Sequence, residues 1–558
     1  MGIFKDFLFA TCILSVSAYA CGCGAITTPG ATCWLDSDLS AEDWTCLWVM
    51  AENVTIECQG HSIKSVGTRD TYGIYSNQPF TTVKDCEISG FEKGVYFNGT
   101  ANGTINSVYS HDNFREAIYI NGGSGNRIID SVGIYRPQGY PTSFDGIVIQ
   151  SSFGNSIINT VAASTTSPGL RVRDSDRTLI ANSTVTSEAL ALIISGSSNT
   201  IIARTAAKSQ NNTALWLDNC TDSKIIETSA VSNRSIGMYV GSNSNRNSII
   251  NSSGSGREIG IYIFEGNSNS ISDSNGTSVV DAGITVHLAN NTRIDNSAAK
   301  SEYGTGLFIN ACNGTEISNS NANSTFGVGC QVAAGNKNTI IGSTMSSISN
   351  SSLKIYLSQK NRIQSSTMVS YNGSPLVFSD DEFYVTMGYG NASTGNVIVG
   401  NTFISKDGAH SHVIIAKPCF GNVFYWNNFT KTSELYVDDL NGNNSYNSSE
   451  SGQNEGNVWA NVIDGSIDLK GEAESIGYPG LYVGTLIYED GSSMGKTNGA
   501  IDYAPLTKTA MPKKVQPVHD EPSKNDSIGT SRAQPTVQER GLLDEIACFL
   551  IRIFGGTC

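Results

Sequence analysis

The chain has 558 residues, 39% of them hydrophobic, and a formal charge of −15. That apolar share supports a large core, and the recurrence of apolar triplets along the chain excludes disorder. The acidic balance argues against nucleic acid and anionic membranes as partners, since both need clustered Lys and Arg.

Residues 1–20 read as a secretory signal. Lys5 supplies the positive start, Phe7 to Val16 the short apolar run, and Ala18-Tyr19-Ala20 a small-X-small cleavage site. The run is too short to cross a bilayer. Cleavage after Ala20 leaves Cys21 first, which raises a lipid anchor, although Ala18 and Tyr19 match a lipobox poorly.

Residues 21–90 read as an N-terminal cap and first coils. Cys21, Cys23, Cys33, Cys46, Cys58 and Cys86 crowd this stretch. An even number of cysteines in an exported chain favours disulfides over metal. Cys58 and Cys86 lie about one long coil apart, so they bridge two coils or stack as reduced core residues. The spacing leaves the connectivity open. Sequons such as Asn53-Val54-Thr55 and Asn98-Gly99-Thr100 fit an exported glycoprotein.

Residues 91–440 carry a repeat. Trp216, Tyr239, Tyr262, Thr285 and Phe308 follow one another at steps of 23. Each is the centre of an apolar-X-apolar triplet, as in Met238-Tyr239-Val240. A strand alternates faces with period two, so the flanking aliphatics point one way and the centre the other. A fixed period in the twenties marks a solenoid, whose units bury their apolar faces only by stacking. The spacing predicts coils of 22–24 residues with about three strands each. Asn-X-Ile triplets at Asn126, Asn155, Asn199, Asn247, Asn269, Asn338 and Asn361 repeat the period. Asn tolerates left-handed backbone and hydrogen-bonds along a stack. Gly146, Gly169, Gly237, Gly260, Gly283 and Gly306 precede strands and fit tight corners.

Three groups in the repeat bear chemistry. The outer row of Trp216, Tyr239, Tyr262 and Phe308, extended by Tyr96 and Tyr119, offers flat faces for sugar rings. Rings stacking only on one another for stability is the alternative. Ile193 lies nearer the middle of the row and Tyr356 at its far end. Glu258 and Asp281 stand 23 apart and so on adjacent coils, which suits a glycosidase pair or a shared Ca²⁺. Solvated turn carboxylates are the plain alternative. His410-Ser411-His412 puts two imidazoles on one strand face but lacks a further ligand. No metal site and no resident cofactor is assigned.

Residues 441–506 read as final coils and a C-terminal cap. Residues 507–535, rich in Lys, Pro, Asp and Ser, read as a flexible linker. Residues 536–558 open with the capping box Thr536-Val537-Gln538-Glu539 and carry Leu543, Ile546, Leu550 and Phe554 at helical spacing. That predicts a short amphipathic helix, with Cys548 and Cys558 as a further disulfide candidate. Such a helix docks a protein partner or a membrane surface.

The segment from Asn53 to Ile63, the Gly-Ile-Tyr-Ile repeats and the Asn-X-Ile triplets resemble secreted right-handed parallel β-helix proteins. These include the NosD-like and pectate-lyase-like repeat families, grouped as carbohydrate-binding and sugar-hydrolysing. The endings Tyr425-Trp426-Asn427-Asn428-Phe429 and Tyr503-Ala504-Pro505-Leu506 resemble the close of NosD-like chains. The resemblance covers residues 21–506 and implies an all-β, right-handed parallel β-helix. It implies a polysaccharide or cell-envelope component as partner and an extracellular or cell-surface location. One repeat fold hosts lyases, hydrolases, adhesins and spacers, so enzyme and binding readings both stand. A polysaccharide lyase or glycosidase would use Glu258 and Asp281. A binding protein would use Tyr119, Trp216, Tyr239, Tyr262 and Phe308. A passive adhesin or spacer is the third reading.

Overall fold

The computed structural model describes residues 18–66, 70–137, 143–388, 390–448, 456–464 and 497–500, residues 502 and 506, and the backbone of 470–475 and 482–485. The expected signal lies largely outside this set, and the linker and C-terminal helix with Cys548 and Cys558 lie wholly outside it. Only Ala18–Ala20 of the expected signal is described, as a strand paired with Thr32–Trp34.

One coil explains the rest. Leu215–Asp218 forms a strand on a first face, Lys224–Ile226 one on a second and Ser229–Ser232 one on a third. The chain then returns to the first face at Met238–Val240. Each strand pairs in parallel with its counterpart in the next coil: Trp216 with Tyr239, Ile225 with Ile249, Ala230 with Gly254. Parallel pairing needs a crossover, and here the other two faces supply it. Among the described residues the second face alone is an 18-stranded parallel sheet.

Alternation decides what is inside. In Met238-Tyr239-Val240 the outer two residues are buried and the tyrosine is half-buried. On the second face one inward column is isoleucine without a break from Ile105 to Ile398. All of these side chains are buried. β-branched side chains suit this stack because a strand tolerates their restricted χ1 and they fill the pleat.

Buried hydrogen-bond ladders run beside the core. Asn338 Oδ1 accepts from the Thr315 N–H at 2.8 Å, and Asn361 Oδ1 accepts from the Asn338 N–H at 2.9 Å. Asn396 and Asn422 continue the rungs. The expected left-handed asparagine is corrected here. Of the seven triplets only Asn199 has positive φ, and its rung is the neighbouring Thr200, not Asn199 itself. In the others the left-handed residue comes one position earlier, as at Gly125, Arg246 and Lys337. The asparagine needs extended backbone to aim its amide along the stack. The corner glycines also have another cause than φ. A Cβ on Gly283 would sit 2.3 Å from the Lys300 nitrogen, so close approach of neighbouring coils excludes a side chain.

Three disulfides staple the first coils: Cys21–Cys33, Cys23–Cys46 and Cys58–Cys86. The last joins adjacent coils with Cα atoms 4.8 Å apart, close to the strand spacing. Cys220, Cys312, Cys330 and Cys419 are buried and unpaired. Burial pushes the Cys220 thiol up to about 11, which makes it inert packing. Among the described residues no helix is long and apolar enough to cross a membrane.

Candidate functional site

The first face carries a single outward register from Trp48 to Lys354. It reads Trp48, Tyr75, Tyr96, Tyr119, Val148, Arg171, Ile193, Trp216, Tyr239, Tyr262, Thr285, Phe308, Gln331, Lys354. Tyr119, Trp216, Tyr239, Tyr262 and Phe308 all lie on it. They do not form one platform. Val148, Arg171 and Ile193 separate Tyr119 from Trp216, and buried Thr285 separates Tyr262 from Phe308. Tyr356 does not belong to this register, because Lys354 holds the position and Tyr356 stands beside Ala333.

The central cluster is the densest. The rings of Trp216 and Tyr239 lie 4.2 Å apart, and those of Tyr239 and Tyr262 lie 5.5 Å apart, edge to face. Phe264, on the same strand and the same side as Tyr262, joins them at 5.8 Å. Gly241 makes the arrangement possible. A Cβ there would meet the Tyr239 ring at 2.1 Å, so the phenol folds down across the glycine. The Tyr262 hydroxyl hydrogen-bonds His287 Nδ1 at 3.1 Å. All four rings are half-buried, since neighbours cover one side and leave the other open.

Carboxylates border this cluster. Asp218 lies two residues after Trp216 and so on the same side of the same strand. Glu265 follows Phe264. Glu258 and Asp281 stand on adjacent coils, as the spacing predicts: the Asp281 N–H donates to the Glu258 carbonyl at 3.1 Å. Serine hydroxyls meet two of them, Ser235 with Glu258 at 3.0 Å and Ser242 with Glu265 at 2.9 Å. Burial pushes the Asp218 carboxyl up, and burial followed by the charge of Glu258 pushes Asp281 up. No basic side chain offsets either shift. Burial, then the charges of Asp218, Tyr262 and Glu265, push the Tyr239 phenol up to about 12.

A second cluster, not singled out from the sequence, sits near the first disulfides. Lys93 is buried, with its ammonium 2.8 Å from Glu92 and 3.8 Å from Glu116. Three phenol rings enclose it, Tyr72, Tyr96 and Tyr119, with centroids 5.5 to 5.6 Å away. Arg115 pairs with Glu92 at 3.1 Å and lies 4.6 Å from the centre of the Phe144 ring. Burial pushes the Glu116 carboxyl up against the pull of Arg115 and Lys93. The irregular coil lengths here, 27, 21, 23 and 29 residues between the row positions Trp48, Tyr75, Tyr96, Tyr119 and Val148, hid the cluster from a count of 23. The column Lys93, Glu116, Asp145 is legible only once the strands are in register.

The remaining candidates separate. His410 binds Asp407 at 2.9 Å, while His412 is buried against Phe429 and Tyr436, so the expected shared face is absent. Both residues precede the strand Val413–Ile415 instead of lying on it. Among the described residues no group of three or more His, Cys, Asp or Glu is placed to hold a metal ion. A shallow groove of about 510 Å³ runs over the third face between Ile134 and Asn233. Small side chains such as Ala163 and Thr186 floor it, and Arg136, Glu188 and Lys208 stand along it.

Residues 190–345 match a family described as the right handed beta helix region. No curated protein sequence matches the chain. Among solved structures, pectate lyase Pel9A is 16% identical, with 44% of this chain and 70% of that one covered at a TM-score of 0.30. The tailspike protein 3 of bacteriophage CBA120 is 11% identical, with 56% and 54% covered at 0.37. This chain thus spans about half of that tailspike. The Streptococcus pneumoniae surface protein and adhesin PfbA is 12% identical, with 55% and 90% covered at 0.29. Likenesses of this size carry no chemistry.

Proposed function

We propose that this right-handed parallel β-helix is a secreted or cell-surface carbohydrate-binding protein, with the first face as its contact surface. The observation that carries the reading is the central cluster of Trp216, Tyr239, Tyr262 and Phe264, half-exposed rings on successive coils about 4.8 Å apart. A pyranose ring is about as wide as one coil is thick, so such a row suits an extended glycan lying along the solenoid axis. Tyr119 and Phe308 flank the cluster at a distance and add contact area. The three disulfides support an oxidising, extracellular setting. A glycan array tests the reading, comparing the native chain with Trp216→Ala/Tyr239→Ala/Tyr262→Ala at unchanged circular dichroism. We expect binding that disappears in the variant. Binding that survives it removes the row as the contact surface.

One observation favours a second reading, a glycosidase or polysaccharide lyase. Glu258 and Asp281 stand on adjacent coils, and burial, then the charge of Glu258, raises the Asp281 carboxyl, as suits a general acid. This enzyme would release reducing or unsaturated ends from a polysaccharide, and Asp281→Asn would abolish the release. Turnover unchanged in that variant rejects the pair.

A further inference from the structure

The central cluster has aromatic faces and acidic groups, and the basic side chain that meets its rings among the described residues is His287, held by the Tyr262 hydroxyl. Asp218 and Glu265 lie on the ring-bearing side, and Glu258 and Asp281 at its border. The serines Ser235 and Ser242, not lysine or arginine, meet Glu258 and Glu265. Such a set attracts positive charge twice over, through ring quadrupoles and through carboxylates.

The same face shows what this combination holds. Some five coils away, Tyr72, Tyr96 and Tyr119 enclose the Lys93 ammonium, and Glu92 and Glu116 neutralise it. There the protein fills the cage with its own primary amine. In the central cluster the positions in register with Lys93 are Ile236, Ile259 and Ala282, so no lysine enters, and Ser235, Glu258 and Asp281 stand one residue before them.

One further detail shapes the central cluster. Gly241 leaves the space that the Tyr239 ring occupies, since a Cβ there would run into the ring.

We propose that the Trp216–Phe264 cluster is a subsite for a protonated amine, and that its ligand is a glycan of amino sugars with free amines. The inference rests on the carbohydrate reading above and narrows it. The ring faces stack on the sugar, and Asp218 at one end of the cluster and Asp281 at the other receive the ammoniums of different residues of the glycan. Neutral sugars lack the charge, and uronates meet repulsion from the carboxylates.

Titration calorimetry at low salt, below the pH at which the amine loses its proton, tests this on the full chain. The probes are a glucosamine hexamer, its N-acetylated counterpart, a galacturonate hexamer and a hexalysine peptide. The expected result is at least about tenfold tighter binding of the free-amine hexamer than of the acetylated one, the size of a partly desolvated cation–π contact. That preference should shrink to about twofold in Asp218→Asn/Asp281→Asn and fall as salt is raised. Equal binding of both sugar hexamers overturns the amine subsite and leaves the carbohydrate reading standing. Hexalysine binding as tightly as the glucosamine hexamer overturns the sugar ligand in favour of a basic protein segment. Failure of every sugar to bind overturns both readings.

Discussion

At the scale of single residues, burial decides which charges matter. Arg246 and Asp222 make a two-point ion pair at 2.7 and 2.8 Å, yet both are solvent-exposed and the pair adds little. Glu116 makes weaker contacts but is buried, so its charge state bears on stability. Its carboxyl is raised in the folded chain, chiefly by burial. The folded state therefore holds its proton more tightly than the unfolded one, and stability falls as pH rises from the unfolded carboxylate range through the folded one. Glu116→Gln removes that term. We expect the variant's melting temperature, relative to the native chain, to improve as pH is raised from 4 to 7. A relative melting temperature that does not move with pH would place the cost elsewhere. Glu116 was not legible as special in the sequence, because its neighbours Lys93 and Asp145 lie 23 and 29 residues away, on two different coil lengths.

At the scale of elements, a strand of three or four residues is too short to be stable alone. The ladders make the difference. Asn338 accepts from the Thr315 N–H and donates to the Cys312 carbonyl at 3.0 Å, all within the buried interior. Asn338→Ala leaves the Thr315 N–H without a partner, while the Cys312 carbonyl keeps the Asn336 N–H at 3.1 Å, and should cost about 1–3 kcal/mol. In a solenoid each coil touches only its neighbours, so the loss stays local. Hydrogen exchange should accelerate at Thr315 and the coils beside it, while the Ile105 region keeps its protection. Uniform acceleration along the chain would contradict a ladder of local rungs. The Asn-X-Ile triplets announced these rungs in the sequence. Their backbone conformation was misread because asparagine serves both as a turn residue and as a stacking amide.

At the scale of the whole molecule, a stack has two vulnerable ends. An end coil exposes unpaired backbone and an apolar cross-section, which invites further strands. At the first end, disulfides tie the early coils together. Cys58–Cys86 closes a loop of 28 residues, worth about 3–4 kcal/mol in the chain-entropy account. Cys58→Ser/Cys86→Ser should make the first coils fray first, seen as early proteolysis before residue 90 with the central coils intact. Cooperative loss of the entire stack at once would mean that the coils are more tightly coupled than nearest neighbours. At the other end, Trp459 stacks on Phe429 at 4.2 Å and donates from its indole to Asp502 at 2.8 Å. That gives the last described coils an aromatic plug and a buried acceptor.

The sequence by itself determined the solenoid: period 23, alternating triplets and asparagine rungs leave little else for these residues to form. It also determined which residues from Trp216 to Phe308 stand in register on the first face, because strand pairing preserves the repeat there. The tertiary structure decided what that register means. It broke the aromatic row into clusters, since intervening Val148, Arg171, Ile193 and Thr285 obey the same alternation without offering a ring. It chose the disulfide pairs, which depend on Cα distances that spacing does not fix. It also brought Lys93 into its cage, because burial and enclosure come from neighbouring coils of unequal length. A repeat specifies each unit's contacts with the next, whereas a site needs the departures from the repeat.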